Sequence, residues 1–239
     1  MNFNMKDCLG IILARTGSRR VKNKNFLKIE KQFIFEIPLK EAIKTKRFVK
    51  FIISSDKKKK FFFNKIFKSK IYSNKLIFHS RNKNMLKNNF HMIDVVKHIV
   101  SLDNIKKLKF KYVFMIYTTA ILINKYDIIN MLKLIKKNEK SNYGCSVQTI
   151  CKYPAPIEWA FSFKKNKLKK KFNYKVKSSD RYKEYYYDTG GLQLFNKNYF
   201  KKNTKKINLG YDIGKIRGID IDDKEDYKIA RTMYLNRVN

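Results

Sequence analysis

Short apolar runs alternate with segments of helical period through the first 150 residues of the chain. "CLGIILA" reads as a buried strand, and helical spacing follows in "PLKEAIKTKRF". "VKFIISS" is a second strand, succeeded by a lysine-rich helix around residues 57–68, a short strand "KLIFH", and a helix near residues 90–102. "KYVFMIYTT" is a further buried strand. "KYDIINMLKLIKKN" puts Ile128, Met131, Leu132 and Ile135 on one helical face, and "YGCSVQTI" closes the series. Strand alternating with helix predicts parallel pairing in a sheet covered on both faces. Ligands of such sheets bind outside the carboxyl ends of the strands. "ARTGSRR" lies at the carboxyl end of the first strand.

After residue 150 the rhythm stops. "CKYPAPIEW" holds two of the three prolines, and the lysine-rich "KKNKLKKKFNYKVK" has neither period. Regular structure returns at "TGGLQLF", and "RGIDIDDKEDYKIARTMYL" reads as a strand running into a helix. The expectation is one α/β domain over residues 1–239, with residues 151–210 as an inserted arm or subdomain.

Composition changes this picture less than its extremes suggest. At 239 residues the chain is long enough for one core with a subdomain. A formal charge of +37 would ordinarily point to nucleic acid or an anionic membrane. Most of that charge is lysine, however, and it travels with abundant Asn, Ile, Phe and Tyr, while Gly, Pro and Ala are scarce. This is the signature of AT-rich coding sequence. Runs such as residues 57–60 and 164–171 therefore read as solvated surface or, alternatively, as phosphate-tracking patches. Cys8, Cys145 and Cys151 form no CxxC pair and read as small buried hydrophobes in a reducing compartment. The start "MNFNMKD" has no signal-peptide core, and no apolar run reaches membrane-spanning length. A soluble cytoplasmic protein with no membrane partner is expected.

Two clusters carry candidate chemistry. The loop "LARTGSRRVKNKN" is neither G-x-G-x-x-G nor a P-loop. Within it Gly17 lets backbone approach a ligand closely. Arg15, Arg19 and Lys24 can surround a polyphosphate, with Ser18 and Asn25 as uncharged partners. Local chemistry leaves open whether this is a phosphate site or an ordinary solvated loop. Near the C-terminus, Asp220 and Asp222 stand two apart at the end of a predicted strand. Both carboxylates would then share a face and could reach one hard cation such as Mg²⁺. The alternative is a helix start, with Asp222 as N-cap and Glu225 three residues on.

Taken together these pieces resemble a known family. "ARTGSRRVKNKN" resembles the "ARGGSKRIPGKN" loop of the sugar-acid cytidylyltransferases, which make CMP-activated nonulosonic acids. "FIISSD" resembles that family's second-strand "VVSTD". "HSRNKNMLKNNFHMIDVVKHIV" stands where the family has "RP", an acidic "SD" and a helix. "RGIDIDDKEDYKIARTMY" matches its terminal "DID-x-x-ED" and helix. The resemblance runs from about residue 9 to about residue 234. The central "IYTTAIL" is closer to the "IYATAPF" of pseudaminic acid cytidylyltransferases than to the "QPTSPLR" of sialic acid synthetases. "YPAPIEWAF" resembles that branch's "FPIQRAL", "YYYDTGGLQLF" its "YHDAGQFY", and "KSSD" its "RSQD". Departures fall at Thr16, Val21, Lys22, Asn82 and Ile121, and at Glu158–Trp159, which trades a cation near the sugar acid for an anion.

The resemblance implies a Rossmann-like three-layer nucleotidyltransferase fold with a mostly parallel sheet and a dimerisation arm around residues 154–172. It implies CTP and a nine-carbon sugar acid as substrates, Mg²⁺ as cofactor, a homodimer, and no nucleic acid as partner. Arg15, Gly17, Ser18, Arg19, Lys24 and Asn25 would hold the triphosphate and part of the nucleoside, and Arg81 would face cytosine. Tyr117, Thr118 and Thr119 would line the floor between nucleotide and sugar. Asp220 and Asp222 would bind the metal, with Arg15, Lys24 and Asp220 acting in catalysis. Glu158, Lys177, Asp180, Asp188 and Gly190 would contact the sugar. His91 and His98, a heptad apart, read as packing or surface residues, and Trp159 as a dimer, sugar or arm contact. Pseudaminic acid is the sugar expected, with N-acetylneuraminic or legionaminic acid as alternatives. A second alternative is a drifted, weakly active protein that binds nucleic acid through its basic surface and its interleaved aromatics, as in "KKKKFFFNKIFKSKIYSNK".

Overall fold

The computed structural model describes residues 6–18, 20–62, 72, 74–86, 90–172 and 184–238. Its first strand, β1 (Cys8–Leu13), is buried along its whole length. A loop and the small hairpin β2 (Lys28–Ile29) and β3 (Gln32–Phe33) lead into α1 (Glu36–Lys44), then β4 (Phe48–Ser55). The helix stops four residues short of Phe48 because Lys46 takes a left-handed φ of 57°, which turns the chain into the next strand. The lysine-rich helix α2 starts at Lys59 and is described to Phe62. Next come β5 (Leu76–Ser80), α3 (Met92–Ser101), α4 (Asp103–Lys106) and β6 (Tyr112–Ile116). Helix α5 (Lys125–Asn138) spans the predicted segment. It opens with a capping box, Asn124 accepting from the backbone of Tyr126 and Asp127 while Asp127 accepts from Asn124.

The second half departs from expectation in two ways. Strand β7 (Gly144–Lys152) is followed by a short exposed hairpin, β8 (Phe161–Lys164) and β9 (Lys167–Lys170). Strands β10 (Tyr186–Asn196) and β11 (Lys206–Asp212) then rejoin the main sheet, whose order is β11-β7-β10-β6-β1-β4-β5. Within the stretch 151–210, β10 and the first residues of β11 belong to the main sheet, and among the described residues the β8–β9 hairpin stands apart from it. Every neighbouring pair is parallel except those of β10, which runs antiparallel to both β6 and β7. The second departure is "GIDID", which belongs to no sheet: β11 is the edge strand beside β7. Instead Ile221 buries itself with Ile29, Ile34 and Ile121, and α6 (Lys224–Val238) packs in the same cluster through Ala230.

Alternation along the strands builds a layer of apolar side chains on each face of the sheet. Cys8, Ile12 and Ile53 pack toward Leu39 of α1 and Ile128, Met131 and Ile135 of α5. Leu9, Ile11, Leu13 and Ile52 pack toward Val95, Val96 and Ile99 of α3. Three layers result, as the resemblance implied. All three cysteines are free and buried. Among the described residues no helix is long and apolar enough to cross a membrane.

Candidate active site

A cleft of about 560 Å³ opens at the carboxyl ends of β1 and β6. It gathers most of the sequence-predicted set: Arg15, Gly17, Ser18, Lys24, Asn25, Arg81, Tyr117, Thr118, Thr119, Asp220 and Asp222 all line it. Arg19 lies outside the described residues, and its neighbour Arg20 lines the cleft.

The loop after β1 is tied down on every side. Ala14 donates its backbone N–H to Ser54 at 2.9 Å, and the Ser55 hydroxyl returns a bond to the Ala14 carbonyl at 2.5 Å. Thr16, a departure from the family glycine, is anchored by Asp56 of "ISSD", which accepts from both its N–H (2.9 Å) and its hydroxyl. Asn25 donates to the Arg15 carbonyl at 2.8 Å and accepts from the Thr118 hydroxyl, joining loop to strand end. Asn23 stands where the motif has glycine and holds a φ of 56°, a conformation asparagine tolerates better than most residues. It turns the chain so that Lys24 faces the C-terminal segment. At Gly17 a Cβ would meet nothing within 4 Å, so the loop leaves open space on the cleft side.

The two carboxylates reach this cleft without the predicted strand. Lys24 donates to Asp222 at 3.1 Å, and Arg20 pairs with the other Asp222 oxygen at 2.8 Å. The helix-cap alternative moves one residue along. Asp223 caps α6, accepting from Glu225 at 2.8 Å and Asp226 at 2.9 Å, while Asp226 accepts from the N–H groups of Asp222 and Asp223. Asp222 is thereby released to face the cleft. Asp220 is hydrogen-bonded by Thr119, yet its Oδ1 is buried without a partner. Burial pushes its carboxyl up and Asp222 adds to this, while Lys24 and Thr119 act the other way. For Asp222 burial also acts upward, but Lys24 and Arg20 outweigh it and hold the carboxyl below its usual range.

Arg81 is 7% exposed and donates through Nε to Ser54 at 3.0 Å, leaving Nη2 buried with no partner. Burial brings its pKa down to about 10, with Asp56 opposing and Arg15 assisting. The Tyr117 phenol is raised by burial and by the carboxylates of Asp188 and Asp220.

The predicted sugar set divides. Asp188 accepts from Gly190 N–H at 2.9 Å and from Gln193 at 3.2 Å. Gly190 holds a φ of 59°, and a Cβ there would sit 2.8 Å from Asp220 Oδ2. Glu158 instead lies in a short turn at Ile157–Trp159 and does not line the cleft. Lys177 and Asp180 fall outside the described residues. Sequence reading missed a second concavity of about 700 Å³ that shares Tyr117, His91 and Met92 with the cleft. Ser146, Gln148, Gln193 and Asn208 supply its polar groups. The signal was present as polar positions alternating along "GCSVQTI" and "GGLQLF", but only strand register reveals that they share a face.

A family model described as Cytidylyltransferase matches residues 9–213. Among solved structures, the CMP:2-keto-3-deoxy-manno-octonic acid synthetase complexed with CTP is 10% identical, covers 97% of this chain and 99% of its own, and superposes with a TM-score of 0.66. The 4-diphosphocytidyl-2C-methyl-D-erythritol synthase from Anaerococcus prevotii is 16% identical over 97% of each chain, with a TM-score of 0.62. At these identities the likeness is one of fold. No curated protein sequence matches the chain.

Proposed function

The chain belongs to the cytidylyltransferase family, and from that premise we propose that it activates a nine-carbon sugar acid, pseudaminic acid, with CTP. The anomeric hydroxyl of the acid attacks the α-phosphorus of CTP, forming the CMP-sugar and releasing pyrophosphate. The carrying observation is that one cleft joins Arg15, Lys24 and Arg81 to Asp220 and Asp222. Cations suit a triphosphate, and in-line placement plus charge stabilisation supply most of what such a transfer needs.

Two carboxylates suffice for Mg²⁺, which commonly takes one or two from the protein and fills its other positions with water and substrate phosphate. The unpartnered buried Oδ1 of Asp220 fits that demand. Asp220 and Asp222 would hold the ion, which when bound supplies Lewis-acid charge to phosphate oxygens. Lys24, resting on Asp222 in the free protein, would turn to the phosphates, and Arg15 and Ser18 would flank them. Asn25, fixed between Arg15 and Thr118, holds the loop in register for this.

On the acceptor side, the amides of Gln148 and Gln193 and the Asn208 side chain offer paired donors and acceptors to hydroxyl and acylamino groups. Exposed Phe161, Phe163 and Leu168 on the β8–β9 hairpin support self-association as a homodimer. Pyrophosphate release with CTP and a panel of pseudaminic, legionaminic, N-acetylneuraminic and 2-keto-3-deoxy-manno-octonic acids tests the reading. Turnover fastest with pseudaminic acid supports it, and preference for the eight-carbon acid replaces the nine-carbon assignment.

A further inference from the structure

Arg81 owes its place to the register of two strands. Ser54 of β4 is the parallel partner of His79 of β5, and one step on, Arg81 donates its backbone N–H to Ser55 at 2.9 Å. Ser54, fully buried, thus lies between two side chains: its Oγ is 3.0 Å from Arg81 Nε and 3.0 Å from His79 Nδ1. A guanidinium can only donate, so Ser54 accepts from Arg81. With its own hydroxyl proton directed to His79, Ser54 meets a ring that offers a bare Nδ1 and carries its proton on Nε2. The His98 ring of α3 stands beside the His79 ring at a centroid separation of 5.5 Å. Burial holds His79 down at about pKa 4, with His98 and Arg81 acting in the same direction, so the ring is neutral at physiological pH.

We propose that Ser54 and His79 are positioning residues for CTP: the relay Arg81 Nε–H to Ser54 Oγ–H to His79 Nδ1 fixes the rotation of the guanidinium, leaving Nη2 as a pre-aimed donor for an acceptor atom of the bound nucleotide. Nη2 is buried, without a partner, and belongs to a side chain that lines the cleft. A buried donor without a partner is costly unless a ligand completes it. The inference rests on the CTP reading of the cleft, and its test separates the two.

Isothermal titration with CTP, without sugar acid, compares wild type with Ser54→Ala, His79→Phe and His79→Asn. Asparagine offers an acceptor oxygen near the Nδ1 position, whereas phenylalanine keeps only the ring. Ser54→Ala and His79→Phe should weaken CTP binding about tenfold, the scale of one charge-assisted bond. His79→Asn should recover most of the loss, and kcat at saturating CTP should change less than the KM. Wild type that fails to bind CTP overturns the functional reading itself. Wild type that binds while His79→Phe binds equally well, or His79→Asn binds as weakly as His79→Phe, overturns the relay alone. Should a variant not fold, ¹⁵N-histidine spectra of the wild type decide the matter, since the chain has three histidines to assign. A His79 ring protonated on Nε2 with bare Nδ1 upholds the relay, and a proton on Nδ1 removes it.

Discussion

Residues 14–25 and residues 153–172 are both excursions from the same sheet, and both are rich in lysine or arginine. The first is bound to distant parts of the chain: Ser54, Asp56, Thr118 and Asp222 all hold it. In the second, Tyr153 bonds to Tyr185 at the sheet margin, and the described bonds of the β8–β9 hairpin are internal. Its hairpin ladder pairs Phe161 with Lys170 and Phe163 with Leu168, Lys171 closes back on Ala160 at 2.9 Å, and every residue of β8 and β9 is exposed. Many independent bonds to remote residues leave a loop little freedom, and the substituted Thr16 is itself held by one of them. A self-contained hairpin has no such constraint, and its sequence can follow codon bias.

The contrast is sharpest at the carboxylates. Asp220→Asn should lower turnover by about a hundredfold or more, about 3 kcal/mol in the barrier, as for loss of one preorganised charge. Pyrophosphate release across a Mg²⁺ series measures this. A near-wild-type rate with unchanged Mg²⁺ dependence would make Asp220 an architectural residue.

Next come the loop cations. Lys24→Ala and Arg15→Ala should each lower kcat/KM by roughly ten- to a hundredfold, matching charge-assisted bonds of about 1.5–3 kcal/mol. Lys167→Ala and Lys169→Ala on the hairpin should leave it unchanged. Equal losses in both sets would abolish the distinction between the two regions.

A smaller effect separates cap from site within three residues. Asp223→Ala should cost about 1 kcal/mol of stability in urea melts through loss of the α6 cap, while Asp222→Ala should spare the helix and weaken CTP binding. The reverse pattern would return Asp222 to a structural role. Smallest of all on the fold is Phe163→Ser with Leu168→Ser. These exposed positions should alter stability by no more than about 0.5 kcal/mol, yet sedimentation should shift toward monomer. An unchanged profile would separate the hairpin from assembly.

Much of this was legible in the chain itself. The strand–helix alternation, the α5 segment and the β1 loop follow from period, turn chemistry and charge, which are local properties. What was hidden depends on register. Nothing in "TGGLQLF" says that it runs antiparallel between β6 and β7, and nothing in "KINLGYD" demands the outer edge. The cap fell on Asp223 rather than Asp222, because with two adjacent aspartates the helix start is decided by where Ile221 buries. The amides of the second concavity and the Ser54–His79 pair are likewise products of strand alignment.

The place of β10 has a consequence for how the protein comes to fold. Strands β6 and β7 are joined through α5 yet never pair, because the strand between them is supplied only after the hairpin excursion. Until β10 arrives, both neighbours present unpaired edges, and its pairing is non-local and hence slow. Lengthening the excursion changes the closure entropy only logarithmically, so the arm can vary while the strand that follows it cannot. Damage to β10 should therefore be seen first as aggregated chains during synthesis, before any soluble enzyme is available to assay.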